Sequence, residues 1–471
     1  MSAPEAGARV AVVGGGWAGC AAAVALTRGG SRVTLVESSR ALGGRARGVE
    51  VQGRILDNGQ HILLGAYDAS LRLMQEVGID LEAALLRLPV QMRYPFPEQS
   101  GGMDFVAPPW PAPFHLVAAL LRAKGLARAD KVALARFNSA AKWMGWELYT
   151  DCSVAELLER FDQTPRLKRL LWHPLCIAAL NTPPERASAK VFLAVLRDSL
   201  GARRRAASDM LLPRLDMGAL FPQAAARYLE SHGGSVRLGV KAEALSAHRA
   251  DWQLTLNGQA EAFDAVVLAT PATVSAALLD PHPEAAGVCA QLAGFAYEPI
   301  ATCYLQYDPS LRLELPFYAL LDDPAQGRWG QFAFDRGQLD PTQPGLLAVV
   351  VSAAGDAAGL GQDALAAAIG AQLAQDLRRP ELAAPQWSRV ITEKRATFSC
   401  TPGLARPGNE TPLPGVLLAG DYTASDYPAT LETAVRSGIG AAAVILSYDT
   451  LPREKRNLSH ADGASGAASV Q

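Results

Sequence analysis

The amino-terminal stretch places two short apolar runs on either side of an alanine-rich segment. Val10 to Val13 is the first run and stops at Gly14, and Val33 to Val36 is the second and stops at Glu37. Short apolar runs bounded in this way are typical of buried parallel strands. The pattern therefore predicts a strand–helix–strand unit in which the alanine-rich segment forms the helix.

Further along the chain, segments with helical spacing of apolar residues are separated from segments that predict strands. Helices are expected over 114–126, 130–148 and 153–161. Ser153, with Glu156 three residues later, forms the capping box that starts the third of them. Strands are expected over 302–307, 329–334 and 346–352. Trp252–Leu256 and Phe263–Leu268 are expected to pair as strands across the Asn257-Gly258 turn.

The turn after the first apolar run carries the glycine spacing of a dinucleotide-binding loop. Its residues are Gly14, Gly15, Gly16, Trp17, Ala18 and Gly19. One glycine permits the tight turn, one lets the backbone approach a pyrophosphate, and one lets the helix pack close to the strand. Glu37, with Ser38 beside it, ends the second run where a carboxylate accepts hydrogen bonds from a ribose diol. Since this carboxylate would repel a 2′-phosphate, we expect FAD or NAD rather than NADP.

Three further motifs carry glycines and polar residues suited to a phosphate-bearing ligand. In Gly43-Gly44-Arg45 the glycines allow a close backbone approach and the arginine can neutralise phosphate. Asp57-Asn58-Gly59-Gln60-His61 is a polar cluster between apolar stretches. Near the other end, Gly420-Asp421-Tyr422 follows an apolar run, and a helix is expected from Thr430 to Leu446.

Composition excludes several classes of function. The chain has 471 residues, of which 49% are hydrophobic, and a net charge of −2, so nothing favours nucleic acid as a partner. The six cysteines form no C-x-x-C pair, so we expect no metal site. No apolar run is long enough to span a membrane. A first strand at Arg9 leaves no room for a signal peptide, so a cytoplasmic protein is expected. Contact with the inner face of the cytoplasmic membrane stays open.

Taken together, these motifs resemble the flavin-dependent amine oxidase and phytoene desaturase superfamily. The dinucleotide loop and Gly43-Gly44-Arg45-Ala46 are general to it, whereas the run from Asp57 to Tyr67 is more discriminating. That run resembles the squalene-associated, FAD-dependent desaturase family of hydroxysqualene dehydroxylases. The resemblance implies an α/β fold in which a Rossmann-like FAD-binding domain carries an inserted α+β substrate, or cap, domain.

Both domains are expected to be built from separate stretches of the chain. The FAD-binding domain is predicted to comprise residues 1–84, 208–275 and 395–451. The substrate domain is predicted to comprise residues 85–207 and 276–394. The polar residues 452–471 are predicted to form a disordered tail.

The resemblance also assigns FAD contacts beyond the first loop. It places Gly59, Gln60 and His61 beside the flavin, and Ala242 at the adenine. Asp421, after Gly420, is expected to bond the ribityl or pyrophosphate region. Thr430 and Leu431 begin the last helix, whose positive end is expected to stabilise reduced flavin at its O2/N1 edge.

If the resemblance holds, the reaction is the reductive dehydroxylation of hydroxysqualene to squalene, a step in hopanoid biosynthesis. Loss of the protonated hydroxyl leaves an allylic cation, to which reduced flavin N5 delivers hydride. The enzyme must protonate the leaving hydroxyl and exclude water from the cation. The candidate acids are His61, Tyr67, Tyr422, Asp426 and Tyr427, among which the sequence does not choose; each tyrosine can equally be a packing residue.

Two other readings of the sequence remain open. The chain can be a carotenoid desaturase or an amine oxidase of the same superfamily, in which the flavin accepts hydride instead. It can also be a non-catalytic carrier of prenylated lipids or proteins, although such a carrier has no need of Arg45, Asp421 and the helix beginning near Thr430.

A nearly insoluble isoprenoid substrate predicts a protein that works at a membrane surface without spanning it. Candidate docking residues lie between Leu85 and Leu126 and include Trp110, Phe114 and Leu120. The alternative is that these side chains simply form the core of the cap domain.

Overall fold

The computed structural model describes residues 7–249 and 251–449. Its strands, in chain order, are β1 Arg9–Val13, β2 Arg32–Glu37, β3 Gly48–Val51, β4 Arg54–Asp57, β5 Leu63–Leu64, β6 Leu85–Leu88, β7 Gln91–Arg93, β8 Asp104–Val106, β9 Met210–Pro213, β10 Ser235–Leu238, β11 Ala242–His248, β12 Asp251–Leu256, β13 Gln259–Phe263, β14 Ala265–Leu268, β15 Tyr297–Gln306, β16 Phe317–Ala319, β17 Phe332–Asp335, β18 Leu346–Ser352, β19 Trp387–Phe398 and β20 Val416–Leu418.

The helices are on average longer than the strands. In chain order they are α1 Trp17–Arg28, α2 Asp68–Glu76, α3 Leu81–Ala84, α4 Pro97–Ser100, α5 Phe114–Arg122, α6 Arg128–Trp143, α7 Val154–Arg160, α8 Pro165–Leu167, α9 His173–Leu180, α10 Ala189–Ser199, α11 Met217–Leu220, α12 Pro222–Ser231, α13 Ala272–Leu279, α14 Ala286–Ala293, α15 Arg336–Leu339, α16 Gly355–Ala358, α17 Gln362–Asp376 and α18 Leu431–Asp449. A π-helical turn, Lys168–Trp172, leads into α9.

A parallel sheet in the order β10-β2-β1-β14-β20 forms the centre of the first domain. Val12 on β1 pairs with Leu35 on β2 and with Val267 on β14. These strands are apolar almost throughout because both faces of the sheet are covered: α1, α12 and α18 pack on one face, and the three-stranded sheet β11–β13 packs on the other. The predicted strands Val10–Val13 and Val33–Val36, and the helix between them, are thereby confirmed.

One predicted strand pairing is wrong. Trp252 pairs with Phe263 across the Asn257-Gly258 turn, as expected, but that hairpin ends at Phe263. Ala265–Leu268 instead lies between β1 and β20 in the central sheet. An apolar run without alternation is buried on both faces, and the central sheet is where such burial exists.

The second domain is built on an antiparallel sheet in the order β16-β17-β18-β15-β19. One face, which includes Cys303 and Leu305, packs against α17. The opposite face, which includes Tyr304 and Phe334, packs against β7, β8, α5 and the π-helical turn. The predicted strands over 302–307, 329–334 and 346–352 correspond to parts of β15, β17 and β18.

The helices from α5 to α10 form the cap region. The predicted capping box is confirmed: Ser153 Oγ accepts from Glu156 N at 3.1 Å, and Glu156 Oε2 accepts from Ser153 N at 3.2 Å. The predicted helices over 114–126 and 130–148 end earlier than expected, at Arg122 and Trp143.

The division into domain segments remains a prediction, with one boundary that falls inside an element. Residues 394 and 395 both belong to β19, which stays paired with β15 as far as Phe398. The predicted tail, 452–471, lies outside the described residues.

Candidate functional site

Three of the four glycines of the first loop, Gly14, Gly16 and Gly19, carry the dinucleotide-binding spacing and have different surroundings. A Cβ on Gly14 would lie 2.4 Å from Ala269 O, and one on Gly19 would lie 1.8 Å from Gly14 O. Gly16 differs, because the nearest atom to its Cβ position is Gly44 Cα at 4.0 Å. Two glycines are therefore required by the protein's own packing, whereas Gly16 leaves open space for a ligand. Trp17 and Ala18 are buried in α1.

Glu37 lies directly beside this loop. Its Oε2 accepts a hydrogen bond from Gly15 N at 2.7 Å, and its Oε1 accepts from Ser39 N at 2.7 Å and from Ser38 Oγ at 3.2 Å. Val240 N donates to Glu37 O at 3.0 Å. That bond brings the segment leading into Ala242, which is buried at the start of β11, alongside the expected ribose position.

Arg45 joins the first loop to the last strand of the central sheet. Gly43, at φ +108°, donates from its N to Gly15 O at 2.8 Å, which carries the chain across the loop. Arg45 Nη2 then donates to Asp421 Oδ1 at 2.6 Å, and Nη1 donates to Ala396 O at 2.8 Å. Burial opposes the charge on Arg45, but the neighbouring Asp421 carboxylate outweighs it and raises the pKa of Arg45. Asp421 itself is buried after Gly420.

The loop after β4 starts at a buried carboxyl group. Asp57 Oδ1 accepts from Met217 N at 2.8 Å, and Asp57 O accepts from the Tyr304 hydroxyl at 2.9 Å. Burial raises the pKa of Asp57 to about 6, although Arg336 opposes the shift. These bonds fix the start of the loop against both domains.

The next residues, Gly59 to His61, face the antiparallel sheet. Gln60 N donates to Thr302 Oγ1 at 3.3 Å, and Gln60 Oε1 accepts from Arg336 Nη1 at 3.1 Å. His61 Nδ1 is buried and has no hydrogen-bond partner among the described residues. Burial lowers the pKa of His61 to about 4, so its imidazole is neutral at physiological pH.

The amino-terminal end of α18 lies beside the start of α2. Thr430 Oγ1 accepts from Thr433 N at 3.2 Å and so caps α18, with the half-buried Leu431 as its first residue. Tyr67 precedes α2 at this place, and burial raises the pKa of Tyr67, which keeps its hydroxyl protonated. Glu432 in turn caps α2, since it accepts from Ala69 N at 3.0 Å and Ser70 N at 2.9 Å.

The remaining catalytic candidates are placed differently. The Tyr422 hydroxyl lies 3.1 Å from Ser275 Oγ within a buried cluster, so it is already engaged. The Tyr427 hydroxyl donates to Asp198, at the end of α10, and Asp426 is exposed. Of the five candidate acids, His61 and Tyr67 lie on the loop and helix end where the sequence predicts flavin, whereas Tyr422 and Tyr427 serve contacts within the protein.

Sequence reasoning missed Arg406 and Glu432. Arg406 Nη2 donates to Asp421 O at 2.7 Å and Nη1 donates to Tyr427 O at 2.6 Å, so this side chain holds the whole Asp421–Tyr427 loop. Glu432 likewise holds the amino-terminal end of α2, because it accepts hydrogen bonds from Ala69 N and Ser70 N. Neither residue stands in a recognisable motif for its role, because both act on atoms far away in the sequence.

The family model for flavin containing amine oxidoreductase matches residues 17–446 of this chain. The chain belongs to that family. It is therefore an FAD-dependent oxidoreductase with the α/β fold that the sequence predicts. The residues described above fit FAD, because Gly16 leaves space for a pyrophosphate and Arg45 can neutralise it. The orphaned His61 Nδ1 can meet a ligand atom in the same region.

Relatives extend the similarity over nearly the whole chain. A hydroxysqualene dehydroxylase of Rhodopseudomonas palustris is 29% identical, with 93% of this chain and 98% of the relative covered. One of Zymomonas mobilis is 27% identical, with 93% and 99% covered. A 15-cis-phytoene desaturase of an Oncidium hybrid is 25% identical, with 95% and 79% covered. The solved structure of an oxidoreductase from Methanosarcina mazei, 15% identical, shares the fold with a TM-score of 0.69 and covers 93% of this chain and 100% of that one.

Two kinds of feature are absent from the part of the chain that the structure describes. Within 7–249 and 251–449, no helix combines the length and apolar character needed to cross a bilayer. Over the same residues, no group of three or more His, Cys, Asp or Glu side chains is arranged to hold a metal ion.

Proposed function

We propose that this enzyme reductively removes the hydroxyl group of hydroxysqualene to give squalene, as a step of hopanoid biosynthesis. The observation that carries the proposal is the similarity to two hydroxysqualene dehydroxylases over 98% and 99% of their lengths. A relationship of that extent includes both domains and therefore the substrate domain, where specificity resides.

The surroundings of the His61 loop suit an isoprenoid. Ile62, the next residue, packs against a large apolar cluster that includes Tyr304, Phe332 and Phe334 from the antiparallel sheet. Leu170, from the π-helical turn, belongs to the same cluster. Apolar surroundings of this kind exclude water, which would otherwise react with an allylic cation.

When bound and reduced, FAD supplies the hydride that replaces the hydroxyl group. The chain's own residues would hold it: Glu37 at the ribose, Gly16 and Arg45 at the pyrophosphate, and Asp421 at the ribityl or pyrophosphate region. The positive end of α18, capped by Thr430, would favour negative charge on the flavin ring.

His61 and Tyr67 are the groups proposed to handle the leaving hydroxyl. His61 Nδ1 has no hydrogen-bond partner among the described residues and can bond the leaving hydroxyl, and the neutral imidazole would orient that group without adding a charge to the apolar surroundings. Tyr67 keeps its proton at neutral pH and is the candidate donor. Asp426, which is exposed, is not carried into this mechanism.

The second candidate function is desaturation of a polyene, favoured by the similarity to a phytoene desaturase over 95% of this chain. The same apolar surroundings would suit that substrate. The two reactions differ in the direction of hydride transfer, and so in the flavin redox state that must be supplied.

The test is a single-turnover reaction under anaerobic conditions. Holoenzyme reduced with dithionite is expected to convert hydroxysqualene to squalene while the flavin absorbance returns to the oxidised spectrum. If the substrate stays unchanged and the flavin stays reduced, while oxidised enzyme desaturates a polyene, the second function replaces the first.

A membrane surface is proposed as the place where enzyme and substrate meet. Hydroxysqualene is almost insoluble in water, so it partitions into the bilayer, and an enzyme at the inner face of the cytoplasmic membrane gains access to it without spanning the membrane.

A further inference from the structure

Helix α5 exposes apolar side chains to solvent along one face. Phe114, Val117 and Leu121 follow one another at helical spacing and are 63%, 52% and 70% exposed. Trp110, just before the helix, is 45% exposed. Isolated exposed apolar residues are ordinary, but four on one helix face and its approach form a contiguous patch that marks an interaction site.

The opposite face of α5 borders the apolar region next to the His61 loop. Ala118 and Ala119 are buried, and Leu116 and Leu120 pack against the same cluster as Ile62. Leu120, which the sequence suggests as a docking residue, is only half-buried against this cluster, whereas Leu121 beside it is exposed. Helix α5 is thus the partition between the exposed patch and the proposed substrate region.

The segment around this face is strongly basic, in contrast to the whole chain with its net charge of −2. Between residues 110 and 143, Lys or Arg stands at 122, 124, 128, 131, 136 and 142. The single acidic residue of that segment, Asp130, is buried and accepts hydrogen bonds from Ala127 N and Thr164 Oγ1. Among the described residues, none of the six basic side chains forms an ion pair with a carboxylate.

Two contacts connect these charges to the apolar face. The Arg122 guanidinium lies 4.9 Å from the centre of the Trp110 ring, and Lys131 Nζ donates to Leu121 O at 2.8 Å. Arg128 and Arg136 border one shallow groove on α6 together with Val132, which is itself exposed, and with Asp162, the single acidic residue of its lining. Exposed apolar groups and an excess of cationic groups therefore occur together on α5 and α6.

We infer that this surface, formed by Trp110, the outer face of α5 and the basic residues 122–142, docks on an anionic lipid bilayer. The apolar side chains enter the boundary between headgroups and acyl chains, and the unpaired cations bind lipid phosphates. This inference rests on the proposed function for its purpose, access to a membrane-dissolved isoprenoid, and on exposure and charge for its location.

The test is co-sedimentation of the full-length holoenzyme with vesicles of phosphatidylcholine, with and without phosphatidylglycerol. The wild-type protein is expected to bind the mixed vesicles and to dissociate as salt is raised. F114S/L121S is expected to weaken binding by about tenfold or more. V274S/L360S, which alters apolar residues exposed elsewhere, is the matched control and is expected to bind as the wild type does.

The charged residues have their own matched pair. K124E/R128E is expected to abolish the preference for phosphatidylglycerol, whereas R227E/R312E, with the same change in net charge, is expected to retain it. Equal binding by all four variants overturns the inference. Absence of vesicle binding, combined with a wild-type dimer that F114S/L121S converts to a monomer, also overturns it, because the face would then be an interface between two copies.

The reaction and the docking can be separated. With substrate dispersed in detergent, F114S/L121S is expected to convert hydroxysqualene at the wild-type rate. Vesicle binding without conversion of hydroxysqualene would contradict the proposed function and leave the docking surface supported. Conversion of hydroxysqualene without vesicle binding would contradict the docking surface and leave the proposed function supported.

Discussion

Arg45 Nη2 and Asp421 Oδ1 lie 2.6 Å apart, although 376 positions separate the two residues in the sequence. The same guanidinium also donates to Ala396 O, on β19 of the second domain's sheet. One side chain thus ties the glycine loop to the last strand of the central sheet and to the neighbouring domain, at the point where the cofactor is expected.

Replacing Arg45 by lysine tests this bridge. Lysine retains the positive charge but cannot reach two acceptors in the planar arrangement of a guanidinium. Loss of a charge-assisted hydrogen bond costs about 1.5–3 kcal/mol, so the dissociation constant for FAD should rise by about tenfold or more. Titration of apoprotein with FAD measures it. Arg28→Lys, at an exposed ion pair with Glu76, is the control, and equal affinity in both variants would contradict the role of Arg45.

Substitution of the loop glycines separates folding from cofactor binding. Gly16 has φ −73° and ψ 179°, which alanine adopts freely, and its Cβ would contact no protein atom closer than 4.0 Å. Gly16→Ala should therefore leave the melting temperature of the apoprotein unchanged but weaken FAD binding by about tenfold or more, because the methyl group occupies the expected pyrophosphate position.

Gly19→Ala is the matched comparison. Its Cβ would lie 1.8 Å from Gly14 O, so this variant should destabilise the apoprotein itself. If Gly16→Ala bound FAD as tightly as the wild type, the phosphates would not pass over Gly16.

The buried carboxyl group of Asp57 gives stability a pH dependence of known sign. Its pKa is about 6 in the folded protein, against about 3.9 for an unperturbed aspartate. The folded state therefore binds this proton more tightly than the unfolded state, and stability is lost as the pH rises from about 4 to about 6. Two pKa units correspond to about 3 kcal/mol.

Asp57→Asn should remove that loss, since an amide oxygen can still accept from Met217 N. Urea unfolding of the apoprotein is expected to show the variant more stable than the wild type above pH 6, with the difference vanishing toward pH 4. A difference that grows as the pH falls would contradict the assignment.

The proposed donors can be distinguished from tyrosines that serve packing. Tyr67→Phe should slow the single-turnover reoxidation of flavin by about 100-fold, the lower range for loss of a general acid. Tyr422→Phe removes a hydroxyl that is engaged with Ser275 and should leave the rate nearly unchanged while lowering the melting temperature. Similar rates in the two variants would exclude Tyr67 as donor.

His61 should act without titrating near neutrality. Since its pKa is lowered to about 4, the rate of the reductive step should show no ionisation of His61 between pH 6 and pH 8. His61→Gln is expected to reduce the rate and leave the shape of the pH profile unchanged. A limb of the wild-type profile near pH 6.5 that disappears in the variant would show that the imidazole does titrate there.

Local features of the fold were predictable from the sequence. The capping box at Ser153, the strand β1 and the Asn257-Gly258 turn all depend on residues within a few positions of one another. The pairing of residues 265–268 with strands of the central sheet was not predictable, because an apolar run carries no signal for which distant strand it joins. The sequence also did not predict that Leu121 is more exposed than Leu120. Neighbouring positions lie on different faces of a helix, and their exposure depends on which face packs on the core.

The residues of the site were likewise predictable where they depend on local patterns and unpredictable where they depend on distant contacts. Glycine spacing and Glu37 point to a nucleotide because the ligand contacts lie within one βαβ unit. The roles of Arg406 and Glu432 depend on backbone atoms of other segments, and no pattern in the sequence marks which atoms an arginine or a glutamate will meet after folding.

The close approach of α1 and α18 has a consequence for biosynthesis. A Cβ on Gly438 would lie 2.1 Å from Ala18 O, so the helix that follows the glycine loop is packed directly against α18. The ribosome makes the first of these helices long before the second, and β20 likewise can join β14 only after it has itself been made. Until then the nascent chain holds an incomplete nucleotide domain, with the apolar face of α1 uncovered. A complete FAD site consequently awaits the synthesis of α18, and a stalled or truncated chain would present that bare face to chaperones and proteases.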